Sequence, residues 1–243
     1  MSRGIRIEAR TLLGDVVADF VLGHGRDPAE DLAALGFGYT GVTQAYAPPG
    51  QLGVTLRVTV VPLGPGGHAP TRPGTTRLSA APGQEVPPPG AEVHTHQRLS
   101  AYAVAVRESA VLLTELSGTV FRGGGTWTLP GGGIEAGEDP STGLRREVWE
   151  ETGQHLGTLD LIDLVMTHWV GRAPSGRWED YQVVRLIYRA TVPQSASLIV
   201  HDLGGTTAAA DWVPIADLTA LPRAPLIDNH RFDVWLRAAT HLG

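Results

Sequence analysis

One stretch limits what this chain can become more than any other. Residues 62–90 hold 8 prolines and 6 glycines among 29 positions, and no hydrophobic period runs through them. Proline fixes φ and removes a backbone donor, and glycine raises the entropic cost of order, so a long helix or a central strand is excluded here. Pro87-Pro88-Pro89 is expected to be stiff and polyproline-like. The stretch reads as a linker, or as a long loop draped over a surface. It divides the chain into a region over 1–61, a linker over 62–93 and a larger domain over 94–243.

In the first region, Ile5 and Ile7 alternate with Arg6 and Glu8, and Val54, Leu56, Val58 and Val60 alternate with Thr55, Arg57 and Thr59. A period of two marks strands buried on one face. Asp27-Pro28, an Ala/Leu-rich run and Gly36 read as a short helix with an N-cap, proline at its first position and a glycine stop. A small α+β unit is expected, with no motif that assigns a role. A unit of about 60 residues is marginal alone, so it is expected to pack on the rest of the chain or on a second subunit, as in a homodimer.

Beyond the linker, strands are expected at 99–107, 109–115, 161–169 and 181–192, with short ones at Trp127–Leu129 and Trp212–Val213. A helix opens at Asp139-Pro140 and runs to Gly153, and another covers 225–239 with Leu226, Phe232, Trp235 and Leu236.

Composition narrows the chemistry. All 19 cationic side chains are arginine, and cysteine is absent. A P-loop lysine, a Schiff-base lysine, a thiol nucleophile, disulfides, cysteine zinc sites and iron–sulfur clusters are therefore excluded. A phosphate clamp must come from arginine, backbone N–H groups or a metal. The net charge of -6 and the lack of a basic block argue against general nucleic-acid binding. No apolar run is long enough to span a bilayer, and the first residues carry no secretory h-region, so the cytoplasm is expected and no membrane partner.

The chemistry concentrates between Gly131 and Gly153. Residues 132–154 hold 2 arginines against 6 acids, so most of the chain's negative charge is one cluster. Glu147, Glu150 and Glu151 fall at i, i+3 and i+4 of the expected helix and share a face. Such a face repels itself, and a hard divalent cation, usually Mg²⁺, relieves it. The glycine run upstream lets backbone approach a metal or phosphate closely. Leu144 and Val148 lie on the adjoining, packing face, and Arg146 can pair with a neighbouring glutamate.

These residues resemble the Nudix box. Gly132, five residues, Glu138, seven residues, and then Arg146-Glu147-Val148-Trp149-Glu150-Glu151-Thr152-Gly153 match its seven fixed positions and one aliphatic position. The box normally closes on an aliphatic residue, whereas this chain has Gln154. The resemblance covers about residues 96–243 and says nothing of 1–61. It implies an α/β/α sandwich around a mixed sheet. It also implies hydrolysis of the diphosphate in a nucleoside diphosphate joined to another group, a nucleotide sugar or ADP-ribose being the expected substrate type. The alternatives are a sanitising (d)NTP pyrophosphohydrolase and a ligand sensor without hydrolysis. Glu147, Glu150 and Glu151 would hold Mg²⁺, with Mn²⁺ as a substitute, supported by Glu138 and the carbonyl of Gly131. Glu147 or Glu151 would deprotonate the attacking water, and Arg146 would orient a glutamate.

Outside the box, the loop Gly171–Asp180 is expected to separate two strands. Arg172, Arg177, Trp178 and Tyr181 in and beside it are candidates to bind phosphate and stack a base. Glu179, Asp180 or Asp202 can supply a further carboxylate. His94 and His96 lack a partner set at metal spacing and read as surface or loop histidines.

Overall fold

The computed structural model describes residues 4–64, 76–77, 86–118, 125–173, 175–194, 196–201 and 205–240. Asp202 and most of the Pro/Gly-rich stretch lie outside them. The chain forms two compact units: residues 1–100, 134–140 and 163–186 make the first, and 101–133, 141–162 and 187–243 the second.

The first unit opens with a four-stranded sheet. Strands β1 (Ile5–Arg10), β2 (Val16–Val21), β3 (Phe37–Tyr46) and β4 (Val54–Pro62) lie in the order β2-β1-β4-β3. β1 and β4 run parallel at its centre, and their alternating apolar residues, Ile5, Ile7, Ala9, Val54, Leu56, Val58 and Val60, are buried, as the period of two requires. Helix α1 (Pro28–Ala34) begins where the sequence places it, with the Asp27 carboxylate accepting from Ala29 N at 2.8 Å. On β1, Glu8 takes hydrogen bonds from Arg10 at 2.7 Å and from Arg57, its register partner on β4, at 2.6 Å. Burial on the one hand raises the Glu8 carboxyl, but the hydrogen bond from Arg10 and then that from Arg57 outweigh it and hold its pKa below the ordinary value.

The remaining strands are β5 (Thr76–Arg77), β6 (Val93–Arg107), β7 (Ala110–Leu116), β8 (Trp127–Thr128), β9 (Gly131–Gly133), β10 (Leu159–Arg172), β11 (Trp178–Ala190) and β12 (Thr207–Pro214). Six follow the order β12-β7-β6-β11-β10-β5, while β8 pairs with β7 and β9 with β6. Its pairings are mixed, antiparallel at β12–β7 and parallel at β10–β5. The fold class is therefore the expected one, α/β with a mixed sheet preceded by a small α+β unit.

Four elements differ from expectation for local reasons. β5 arises inside the stretch read as linker, in its longest window free of proline and glycine. β10 and β11 run on to Arg172 and back to Trp178, because the Arg172 guanidinium lies over the Trp178 ring at 4.6 Å and donates to Gly176 O at 3.1 Å. Trp178, Glu179 and Asp180 thus stand on a strand, not in a loop. The last helix, α3 (His230–Thr240), starts later than 225, since Asn229 Oδ1 accepts from Arg231 N at 3.0 Å and caps it there.

Helix α2 (Pro140–Thr152) ends, as expected, before Gly153. Leu144 and Val148 are fully buried on its packing side. α3 buries Phe232, Trp235 and Leu236 in the second unit's core. Among the described residues no helix is long and apolar enough to cross a membrane.

Candidate active site

The site is built on the second unit, where β9 meets α2. Gly131 has φ +136°, and a Cβ there would run into the Ala101 carbonyl, so only glycine lets this strand cross so close to β6. Its N–H donates to Glu151 Oε2 at 2.9 Å. The other Glu151 oxygen accepts from the Thr207 hydroxyl at 2.8 Å, and the residue is only 6% exposed. A buried carboxylate is tolerable only with such donors.

Gly132 makes a second close approach. A Cβ on it would overlap the Glu147 carboxylate, so the side chain occupies space that any other residue would fill. Arg146 ties the pieces together. It donates to Glu147 Oε1 at 2.9 Å, to Glu150 Oε2 at 3.3 Å and to the Gly133 carbonyl at 3.2 Å. One guanidinium thus braces two of three glutamates against the glycine strand, while the face keeps an excess of negative charge.

The end of α2 is held by residues 196–201. His201 N donates to Glu150 O at 2.7 Å and Ile199 N to Thr152 O at 3.1 Å, giving partners to carbonyls a helix end leaves open. The Trp149 and His201 rings stack at 4.3 Å. Gln154 is fully buried, its amide donating to Ala196 O at 3.0 Å and accepting from Ala196 N at 3.3 Å. A polar side chain thus takes the aliphatic closing position by hydrogen-bonding the segment it packs on.

Of the residues singled out in the sequence, Gly131, Gly132, Arg146, Glu147, Glu150 and Glu151 come together in this unit. Glu138 belongs to the first unit, where its carboxylate accepts from Glu135 N at 3.0 Å. There Arg177 donates to Glu179 at 3.3 Å, and Tyr181 stacks flat on His96 at 5.3 Å with Trp169 at 5.8 Å. His94 lies 3.9 Å from Glu92 near the surface.

A group in the first unit escaped the sequence reading. His24, from the turn after β2, and His168, on β10, both direct Nε2 at Asp180 Oδ1 on β11, at 2.8 and 2.6 Å. Burial raises the Asp180 carboxyl, and the hydrogen bonds from His24 and His168 together hold its pKa below the ordinary value. His24 and Asp180 are 156 positions apart, so no local spacing marks the group.

Comparison with known proteins places the chain. The family model described as NUDIX domain matches residues 96–233, more than half of the sequence. An RNA pyrophosphohydrolase of Brucella ovis is 36% identical over 104 residues, covering 39% of this chain and 58% of that protein. A MutT-like protein of Streptomyces ambofaciens is 49% identical over 55 residues, covering 23% of this chain and 33% of its own. This chain thus spans 58% or less of the length of these relatives. Among solved structures, a MutT NUDIX hydrolase of Burkholderia pseudomallei is 26% identical, with 58% of this chain and 96% of that chain covered and a TM-score of 0.43.

Proposed function

This chain belongs to the Nudix family, and on that premise we propose that it is a Mg²⁺-dependent pyrophosphohydrolase acting on a nucleoside diphosphate derivative. One observation carries the reading: Glu147, Glu150 and Glu151 gather beside a glycine strand that has no room for a Cβ at Gly131 or Gly132, and one arginine offsets them. Oxygen donors with net negative charge suit a hard divalent cation, so Glu147, Glu150 and Glu151 are the proposed holders of Mg²⁺ or Mn²⁺. When bound, that ion would neutralise the diphosphate and make water a better nucleophile.

The chain's own residues divide the remaining work. Arg146 holds Glu147 and Glu150 in fixed rotamers. Glu151 carries a donor on each oxygen and is buried, so the base for the attacking water is assigned to the more accessible Glu147. For the substrate, the Arg172–Trp178 pair and Tyr181 offer faces for a base, and Arg177, with its side chain 62% exposed, is the proposed phosphate contact. Residues 1–61 are the proposed accessory region and the cytoplasm the proposed compartment. Light scattering on the full chain decides whether a homodimer forms.

A second reading is cleavage of a (d)NTP, or of a pyrophosphate linkage carried by RNA. It is favoured by the names of the relatives, RNA pyrophosphohydrolase and MutT-like protein. Product analysis with Mg²⁺ separates the two. Nucleoside monophosphate plus a sugar phosphate supports the first. Pyrophosphate plus monophosphate supports the second. Tight nucleotide binding without any product would leave a sensor instead.

A further inference from the structure

We propose that His24, His168 and Asp180 form a binding site for a divalent transition-metal ion of the zinc type, separate from the glutamate cluster. The three side chains converge from three segments: the turn after β2, strand β10 and strand β11. Their candidate ligand atoms all lie within 4.8 Å of one another, with both imidazole Nε2 atoms on one carboxylate oxygen, at 2.8 and 2.6 Å. Around a tetrahedral ion with ligand distances of about 2.1 Å, ligand atoms stand roughly 3.4 Å apart, so each contact must open by somewhat under 1 Å to admit the ion.

The donor set selects the ion. Two imidazoles and one carboxylate favour zinc and its neighbours over Mg²⁺ or Ca²⁺, which prefer oxygen. Three protein ligands leave a position open for water or another ligand. The side chains are 22%, 26% and 29% exposed, so an ion can enter, and the ligands are still anchored.

The surroundings hold the ligands in place. Gln182 is 1% exposed and follows Asp180 on the same face of β11. Its amide oxygen accepts from Gly25 N and from Gln97 Nε2, both at 2.9 Å, and its amide nitrogen donates to Arg26 O at 2.8 Å. The turn carrying His24 is thereby pinned to the strand carrying Asp180. Gly25, at φ +71°, lies against the His168 ring, where a Cβ would stand 3.1 Å from Cε1. The rings of His24 and His168 meet edge to face at 5.4 Å. Through His24, the region 1–61 becomes a ligand donor to strands of the Nudix domain.

The test uses the full chain, stripped of metal by a chelator and then kept in excess Mg²⁺ so that oxygen-only sites are filled. Zn²⁺ is titrated while the imidazole nitrogens are followed by long-range ¹H–¹⁵N NMR, with calorimetry in parallel. The expected result is one Zn²⁺ per chain, shifts confined to the His24 and His168 ring nitrogens among the histidines, and a rise in thermal midpoint. In His168→Gln and Asp180→Asn, Zn²⁺ affinity should fall by about 100-fold, of the order that even supporting residues of metal sites command. If the folded wild type shows no movement of the His24 and His168 nitrogens, the proposal is overturned, and the trio is a hydrogen-bonded brace. That readout needs no variant and no hydrolysis, so its failure stands apart from any failure of the diphosphate reading.

Discussion

The Glu147 carboxylate occupies the space into which a side chain at position 132 would project. Glycine at 132 is thus a condition for where a box glutamate sits. Gly132→Ala should push Glu147 aside and cut turnover by about 100-fold, the scale of a misplacement near 1 Å. Far-UV circular dichroism should stay unchanged, since the strain falls on one side chain. Undiminished turnover would detach Glu147 from the reaction.

The buried amide of Gln154 bonds Ala196 in both directions. Gln154→Ala should lower unfolding free energy by about 2–3 kcal/mol, from a cavity and from orphaned backbone groups. Gln154→Leu fills the volume and should still lose about 1–2 kcal/mol, because the Ala196 N–H and carbonyl lose their partner. Urea denaturation measures both. A Leu variant as stable as wild type would mean that packing alone sets this position.

Glu8 links stability to pH. Its folded pKa is held below the ordinary 4.5, first by the Arg10 hydrogen bond and then by that of Arg57. A depressed carboxyl pKa stabilises the fold fully above the unfolded value, and the gain is lost as pH falls through the folded value. With the side chain 16% exposed, the pairs should be worth about 1 kcal/mol. Wild type and Glu8→Gln should therefore differ by that amount at pH 7 and converge below pH 4.5. A gap that persists in acid would point to packing instead of charge.

Much of this was legible because it is local. The α1 cap, the β1 and β4 alternation and the three glutamates on one α2 face follow from spacings of a few residues. So does Gly153 as the stop of α2. What stayed hidden depends on contacts between distant segments. The period of two does not reveal β2, whose residues are mostly exposed or half-buried. Arg172 stacking on Trp178 lengthens a hairpin whose turn-like residues 173–176 point to an earlier end. His24 meets His168 and Asp180 where Gln182 ties its turn to β11, and nothing in the spacing of His24 hints at that.

The acidic face of α2 with the glycine strand at 131–133 is the proposed hydrolytic centre. The most direct measurement is turnover of ADP-ribose, a nucleotide sugar and a nucleoside triphosphate in Mg²⁺, comparing wild type with Glu150→Gln. That replacement keeps the shape of a side chain already 36% exposed, so the fold should be unaffected. The wild type should release nucleoside monophosphate in a Mg²⁺-dependent way, abolished by chelation and reduced about 100-fold or more in the variant, as for loss of a group that stabilises developing charge. Equal turnover in both proteins, or binding by the wild type without release of product, would contradict that assignment.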